Sequence, residues 1–201
     1  MFQHSWDADG MNPRVRPVAL DSRPSDSESD LPPEAVRLKK MAEVYEDRGD
    51  YLKAEPLYVR SLEIIDQSLG SDNPIVAFAL INLADLYITM NELDKAEPLY
   101  LRSLDVINKS LGWEHFFSAM IMNNLGGLYK KMGEYNRAEA MFIRSLKIHE
   151  KTLGPNHPNV AIPLNNLAEL YRQMGKIKKA DVYYIRALKV LENADDTEDE
   201  Q

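Results

Sequence analysis

The chain has 201 residues, no cysteine and a formal net charge of -8, with 44% hydrophobic and 28% charged side chains. That length holds one ordinary domain with a core, or one short repeat array. The missing thiols exclude disulfide frameworks, thiolate metal sites and a cysteine nucleophile.

The N-terminus, MFQHSWDADG, lacks a basic start followed by an apolar run, and no stretch of about 18 apolar residues occurs. A cytoplasmic protein without a membrane partner is therefore expected. Residues 1–33 are rich in Pro, Ser, Asp and Arg, show no apolar period, and read as a disordered arm. They carry three Arg against six acids, and residues 195–201 carry five acids and no base. The stretch between is close to neutral, so nucleic acid is not an expected partner.

From residue 34 onward the chain repeats. AEPLYVRSL at Ala54, AEPLYLRSL at Ala96, AEAMFIRSL at Ala138 and ADVYYIRAL at Ala180 recur every 42 residues. The same spacing links Tyr45, Tyr87, Tyr129 and Tyr171, and also Gly49, Asn91, Gly133 and Gly175. Four units follow, at about 34–74, 75–116, 117–158 and 159–192, with an acidic disordered tail at 193–201.

Each unit holds two helical patterns. In the third, Met122, Leu125, Gly126 and Tyr129 follow the spacing of a buried stripe, as do Ala138, Met141, Phe142, Ser145 and Leu146. Gly133 supplies a left-handed C-terminal residue between them. The connections LGSDNP, LGWEHF and LGPNHP, beginning at Leu69, Leu111 and Leu153, join successive units. Pro56 and Pro98 are expected near the first turn of their helices, where a missing N–H matters little, and Pro163 in a similar place. One hairpin cannot bury both apolar faces alone, so the expected fold is all-α: a right-handed α-solenoid of four helix-turn-helix repeats.

These columns resemble the tetratricopeptide repeat family. The small Ala42, Ala84, Gly126 and Ala168 are each followed three residues later by Tyr; the Gly-containing turn, the Ala54 column and the aromatic Tyr58, Tyr100, Phe142 and Tyr184 complete the pattern. The 42-residue length with NNLAELY, AEPLY and LGPNHPNVA is similar to the repeats of kinesin light chain and its bacterial relatives. The resemblance implies a peptide-binding platform whose first helices line a concave groove.

On those first helices, the face opposite the buried stripe comprises Met120, Asn123, Asn124, Gly127, Lys130 and Lys131 in the third unit. Its counterparts include Phe78, Ile81, Asn82 and Asp85 in the second and Asn165, Asn166, Glu169 and Arg172 in the fourth. Asn82, Asn124 and Asn166 form one column, with Lys40 at the first-unit position. A carboxamide can pair with both the N–H and C=O of an extended peptide without reading its side chains. The resemblance assigns these three positions that role; capping or bridging between helices is the structural alternative. Glu43, Glu46, Asp47 and Asp85 in the first two units, against Lys130, Lys131 and Arg172 in the last two, suit a peptide whose acidic part lies over the latter.

Other columns read as structural. Arg60, Arg102, Arg144 and Arg186 are expected to pair with neighbouring carboxylates or loop carbonyls, and His157 to pack in its loop. Trp113, Phe116 and Phe117 form an aromatic loop that either packs between units or marks a partner site. The string HEKTL at His149 carries Leu where a zinc-protease helix needs its second His.

The function expected is a non-enzymatic adaptor for a protein or peptide partner with an extended linear motif, needing no metal or cofactor. The alternative is a self-associating scaffold, a homo-oligomer using the apolar residues of VYYIRALKVL on the terminal helix.

Overall fold

The computed structural model describes residues 31–198. The expected N-terminal arm lies outside the described residues up to position 30, as do 199–201. Among the described residues there are eight α-helices and no strand: α1 (Pro33–Asp47), α2 (Tyr51–Leu69), α3 (Pro74–Thr89), α4 (Leu93–Ser110), α5 (Phe116–Lys131), α6 (Tyr135–Leu153), α7 (Ala161–Gln173) and α8 (Ile177–Glu198). This is the α-solenoid class of helix-turn-helix repeats. The described residues divide between two compact units, an N-terminal one that ends at Leu128 and a C-terminal one that begins at Tyr129, with the boundary inside α5.

The turns within repeats follow from one backbone requirement. Gly49, Asn91, Gly133 and Gly175 have φ of 76°, 60°, 78° and 71°, the left-handed region that glycine enters freely and asparagine with little strain. Each turn returns an N–H to the Tyr carbonyl of the preceding helix: Asp50 to Tyr45 at 2.9 Å, and Glu92 to Tyr87, Glu134 to Tyr129 and Lys176 to Tyr171, each at 2.8 Å. This bond satisfies a carbonyl that the helix end would leave open.

The connections between repeats use a second rule. At 42-residue spacing, Asn73 Oδ1 accepts from Ile75 N at 2.9 Å, His115 Nδ1 from Phe117 N at 3.2 Å and His157 Nδ1 from Asn159 N at 3.1 Å. Each side chain caps the element that follows it. His157 is thus an N-cap, opening a short 3-10 turn at Pro158–Val160 that leads into α7.

Small residues set how closely the helices of a hairpin approach. Ala42, Ala84 and Ala168 on first helices and Ala54, Ala96, Ala138 and Ala180 on second helices are all buried. In the N-terminal unit, Ser61 and Ser103 donate to the carbonyls of Ala35 and Ala77, each at 2.9 Å, so the buried hydroxyl of the RSL motif ties the two helices together.

Pro56 and Pro98 lie inside α2 and α4, directly after the first turn and so near the helix start as expected. Their missing N–H removes one intrahelical bond near the helix start, a smaller loss than a mid-helix break. Helix α8 runs to Glu198, past the expected end at 192 and into the stretch read as tail.

Candidate functional site

The first helices carry the candidate residues, and the structure sorts them by burial. Lys40 on α1 is exposed; Asn82 on α3 and Asn123, Asn124 and Gly127 on α5 are half-buried. In the C-terminal unit Lys130, Asn165 and Asn166 are half-buried, while Lys131 and Arg172 are exposed. Phe78 and Ile81, expected on the open face, are instead buried, and so is Glu169. Phe78 meets Phe117 edge-on at 5.0 Å between centroids, which draws that part of α3 into the core of the N-terminal unit.

The asparagines differ in what they already hold. Asn82 makes no hydrogen bond among the described residues, so its donors and acceptor stay open to solvent or a ligand. The Asn124 amide hydrogen-bonds the Tyr100 phenol, which itself donates to Asp85. Burial, then the Asp85 charge and hydrogen bond, push the Tyr100 phenol well above its ordinary range, while the Asn124 bond opposes them. The structural role for asparagine therefore holds in part at Asn124. In the C-terminal unit, both side-chain polar atoms of Asn165 are buried and unpaired. An unmet buried amide costs about 1–3 kcal/mol.

The charges are more compensated than their sequence order suggests. Arg172 Nε and an Nη reach Glu169 at 2.7 and 2.8 Å, and Gln173 Nε2 reaches the same carboxylate at 2.9 Å. Arg172 is therefore tied to a carboxylate on its own helix, which leaves Lys130 and Lys131 as the principal cations of this face. Burial pushes the Lys130 ammonium below its usual range; nearby Glu169 opposes that shift, and Lys131 and Arg172 reinforce it. On the acidic side, Glu46 accepts from the Tyr58 phenol at 2.7 Å, so two of the four groove acids, Glu46 and Asp85, are engaged by tyrosines.

A recurring contact escaped the sequence reading. Each first-helix Tyr is covered by a cation from the next helix: Lys53 over Tyr45 at 5.4 Å, Lys95 over Tyr87 at 4.9 Å, Arg137 over Tyr129 at 3.8 Å and Lys179 over Tyr171 at 5.1 Å. The Glu after the repeat alanine completes the clamp, because Tyr87 donates to Glu55 at 2.8 Å and Tyr171 to Glu139 at 2.6 Å. Burial, then the Glu55 bond and charge, push the Tyr87 phenol up to about 12. The cations recur at the repeat spacing, so the signal was present. Its meaning needed the facing helix.

The remaining columns fall into place. Arg102 pairs with Asp66 at 2.9 Å, Arg60 with Glu63 at 2.9 Å and Arg186 with Glu150, as expected of structural arginines. The aromatic loop splits: Phe117 is buried, whereas Trp113 is 65% exposed. Among the described residues no group of three or more His, Asp or Glu could hold a metal ion, and no helix is long and apolar enough to cross a membrane.

Paired helices, left-handed hinge residues and an interhelical tyrosine clamp define a helical-repeat protein. More narrowly, the chain belongs to the tetratricopeptide repeat family, whose sequence model matches residues 34–109 and 117–193. No curated protein sequence matches the chain. Among solved structures it is similar to BtubC (BKLC) from P. vanneervenii, with 25% identity and a TM-score of 0.70 over 80% of this chain. This chain spans 64% of the length of that protein. It is also similar to a kinesin light chain-like repeat protein from Podospora anserina, with 21% identity and a TM-score of 0.70, covering 83% of this chain and 79% of that one. PilF from Pseudomonas aeruginosa shares the fold at 22% identity and a TM-score of 0.58, covering 78% of this chain and 61% of that one. Proteins of this repeat family are generally protein-protein interaction modules.

Proposed function

We propose that the chain is a cytoplasmic, non-enzymatic adaptor that holds an extended segment of a partner protein against its first helices. The observation that carries this reading is the column Lys40, Asn82 and Asn124 within the N-terminal unit, where Asn82 presents an amide that no described residue engages. In the C-terminal unit Asn166 stands at the same repeat position on α7, and the unmet amide of Asn165 beside it would gain from a polar ligand once its side chain turns outward. A backbone-directed grip of this kind is indifferent to most peptide side chains, so charge must supply selectivity. The partner segment is proposed to be partly acidic, with its acidic part over Lys130 and Lys131. A partly desolvated ammonium gains more from an added anion than an exposed one does.

The test is a peptide array followed by titration of the best binder. Asn82→Ala combined with Asn166→Ala should leave the helical circular dichroism unchanged and weaken binding at least about tenfold, the loss of one or two charge-free hydrogen bonds. Full affinity in a folded double variant would refute the asparagine grip. Lys131→Glu should select against acidic binders while sparing neutral ones.

A further inference from the structure

We infer that this chain self-associates head to tail, with α8 of one copy covering α1 and α2 of the next in the register that joins repeats within each unit. The inference uses none of the proposed peptide-binding asparagines; Lys40 lines the same α1 groove, so the two readings are told apart by variants at Asn82 and Asn166 for the one and at Arg60 and Glu192 for the other.

The first end is apolar where its counterparts are buried. Met41 and Val44 on α1 are 43% and 47% exposed, whereas the residues at the same positions of α3, Leu83 and Leu86, are 4% and 0% exposed. Together with Val36, Tyr45 and Arg37 they line an open groove of about 530 Å³. At the other end, α8 leaves Ile185 exposed and Leu188 and Leu191 half-buried. At the latter two positions α2 has Leu62 and Ile65, and α6 has Leu146 and His149, all buried.

Charge complementarity names the occupant. Within the N-terminal unit, a second helix holds the following repeat through two acids: Glu55 accepts from Tyr87 and lies 3.8 Å from Lys95, and Asp66 pairs with Arg102. Within the C-terminal unit, Glu139 and Glu150 do the same for Tyr171 and Arg186. At the corresponding positions α8 carries Asp181 and Glu192, and neither meets a partner among the described residues. The groups they would meet are Tyr45, Lys53 and Arg60. Among the described residues, Tyr45 holds its Lys53 but has no acid on its phenol, and Lys53 and Arg60 reach only Asp50 and Glu63 on or beside their own helix, pairs that are exposed and weak. A second copy supplies both acids and the apolar ridge in one register. Because the two surfaces differ, the contact is heterologous and generates an open chain of copies or a closed ring.

The test is sedimentation velocity of the full chain over a concentration series. The wild type should show concentration-dependent association, and Glu192→Arg or Arg60→Glu alone should weaken it at least about tenfold. The double variant should recover it, since the reversed pair forms between copies, and an equimolar mixture of the two single variants should also associate. Because the chain has no cysteine, Val44→Cys with Leu188→Cys should give intermolecular disulfides in a ladder of sizes on a non-reducing gel. A strict monomer throughout the series overturns the inference and leaves the α1 groove to another occupant, such as the chain's own residues 1–30. Disulfide dimers from Val44→Cys alone, equal in yield to the double variant, overturn it in favour of a face-to-face dimer. Association unchanged by either charge reversal also overturns it.

Discussion

Gly127→Ala should stabilise the protein, and the structure sets the size of the effect. Gly127 lies inside α5, four residues before its end, in a backbone conformation any residue adopts. A Cβ built there meets no atom within 4 Å, so the substitution adds neither a clash nor a packing gain. What remains is the helix preference of Ala over Gly, about 0.8–1.0 kcal/mol. For a folded region of this size that corresponds to roughly 2–4 °C in melting temperature. Thermal unfolding followed by circular dichroism at 222 nm, supported by urea midpoints, measures it. Gly133→Ala is the matched opposite: its φ of 78° lies where a Cβ costs about 1–2 kcal/mol, so the melting point should fall. A Gly127→Ala variant that melts lower than the wild type would refute the reasoning, because it would mean the space beside α5 is occupied. If the variant melts higher and still binds peptide, Gly127 contributes only room. Gly127→Glu, which places an acid where Glu43 and Glu169 stand in their repeats, should then selectively weaken acidic peptides.

His149 is 2% exposed, with Nδ1–H donating to the Ser145 carbonyl at 2.9 Å, and burial above all holds its pKa below the usual 6.5. A depressed histidine keeps its stabilising contribution above the unfolded value and loses it as pH falls through the folded one, so stability should decline on acidification below about 6.5. His149→Gln should flatten urea midpoints over that window; an unchanged slope would assign the decline elsewhere. Tyr171→Phe removes the bond to Glu139 and should cost about 1–2 kcal/mol by denaturant titration, with Lys179 kept over the ring. Asn165→Leu removes two unmet buried polar atoms and should be neutral or stabilising in the same assay, and a loss above about 1 kcal/mol would show that the amide is hydrogen-bonded in solution. Trp113→Ala should change the melting point by less than a degree or two, since the ring is largely in solvent.

The repeat was legible because its causes are local. Gly49, Gly133 and Gly175 mark turns whose positive φ follows from their own backbone, and Ala, Tyr and Leu recur wherever one helix face meets another. The capping role of His115 and His157 was readable in principle from Asn73, since all three stand at one repeat position and cap through the same bond. The open face was read less well. Phe78, Ile81 and Glu169 share helical spacing with Asn82, Asn124 and Asn166, and spacing alone assigns a face, not its depth. Phe117 buries Phe78, and Arg172, expected as a cation for a ligand, turns back to Glu169 instead.

By itself, then, the sequence determined the all-α class, the number of hairpins, their hinges and the family, because periodicity and turn chemistry act within a few residues. Only the tertiary structure decided which polar groups are committed: Asn124 to Tyr100, Glu55 and Glu139 to tyrosines of the following repeat, and Asp181 and Glu192 to nothing among the described residues. Those pairings join residues 24 to 32 positions apart on different helices. Whether such groups meet depends on the distance and rotation between packed helices, which no local pattern encodes.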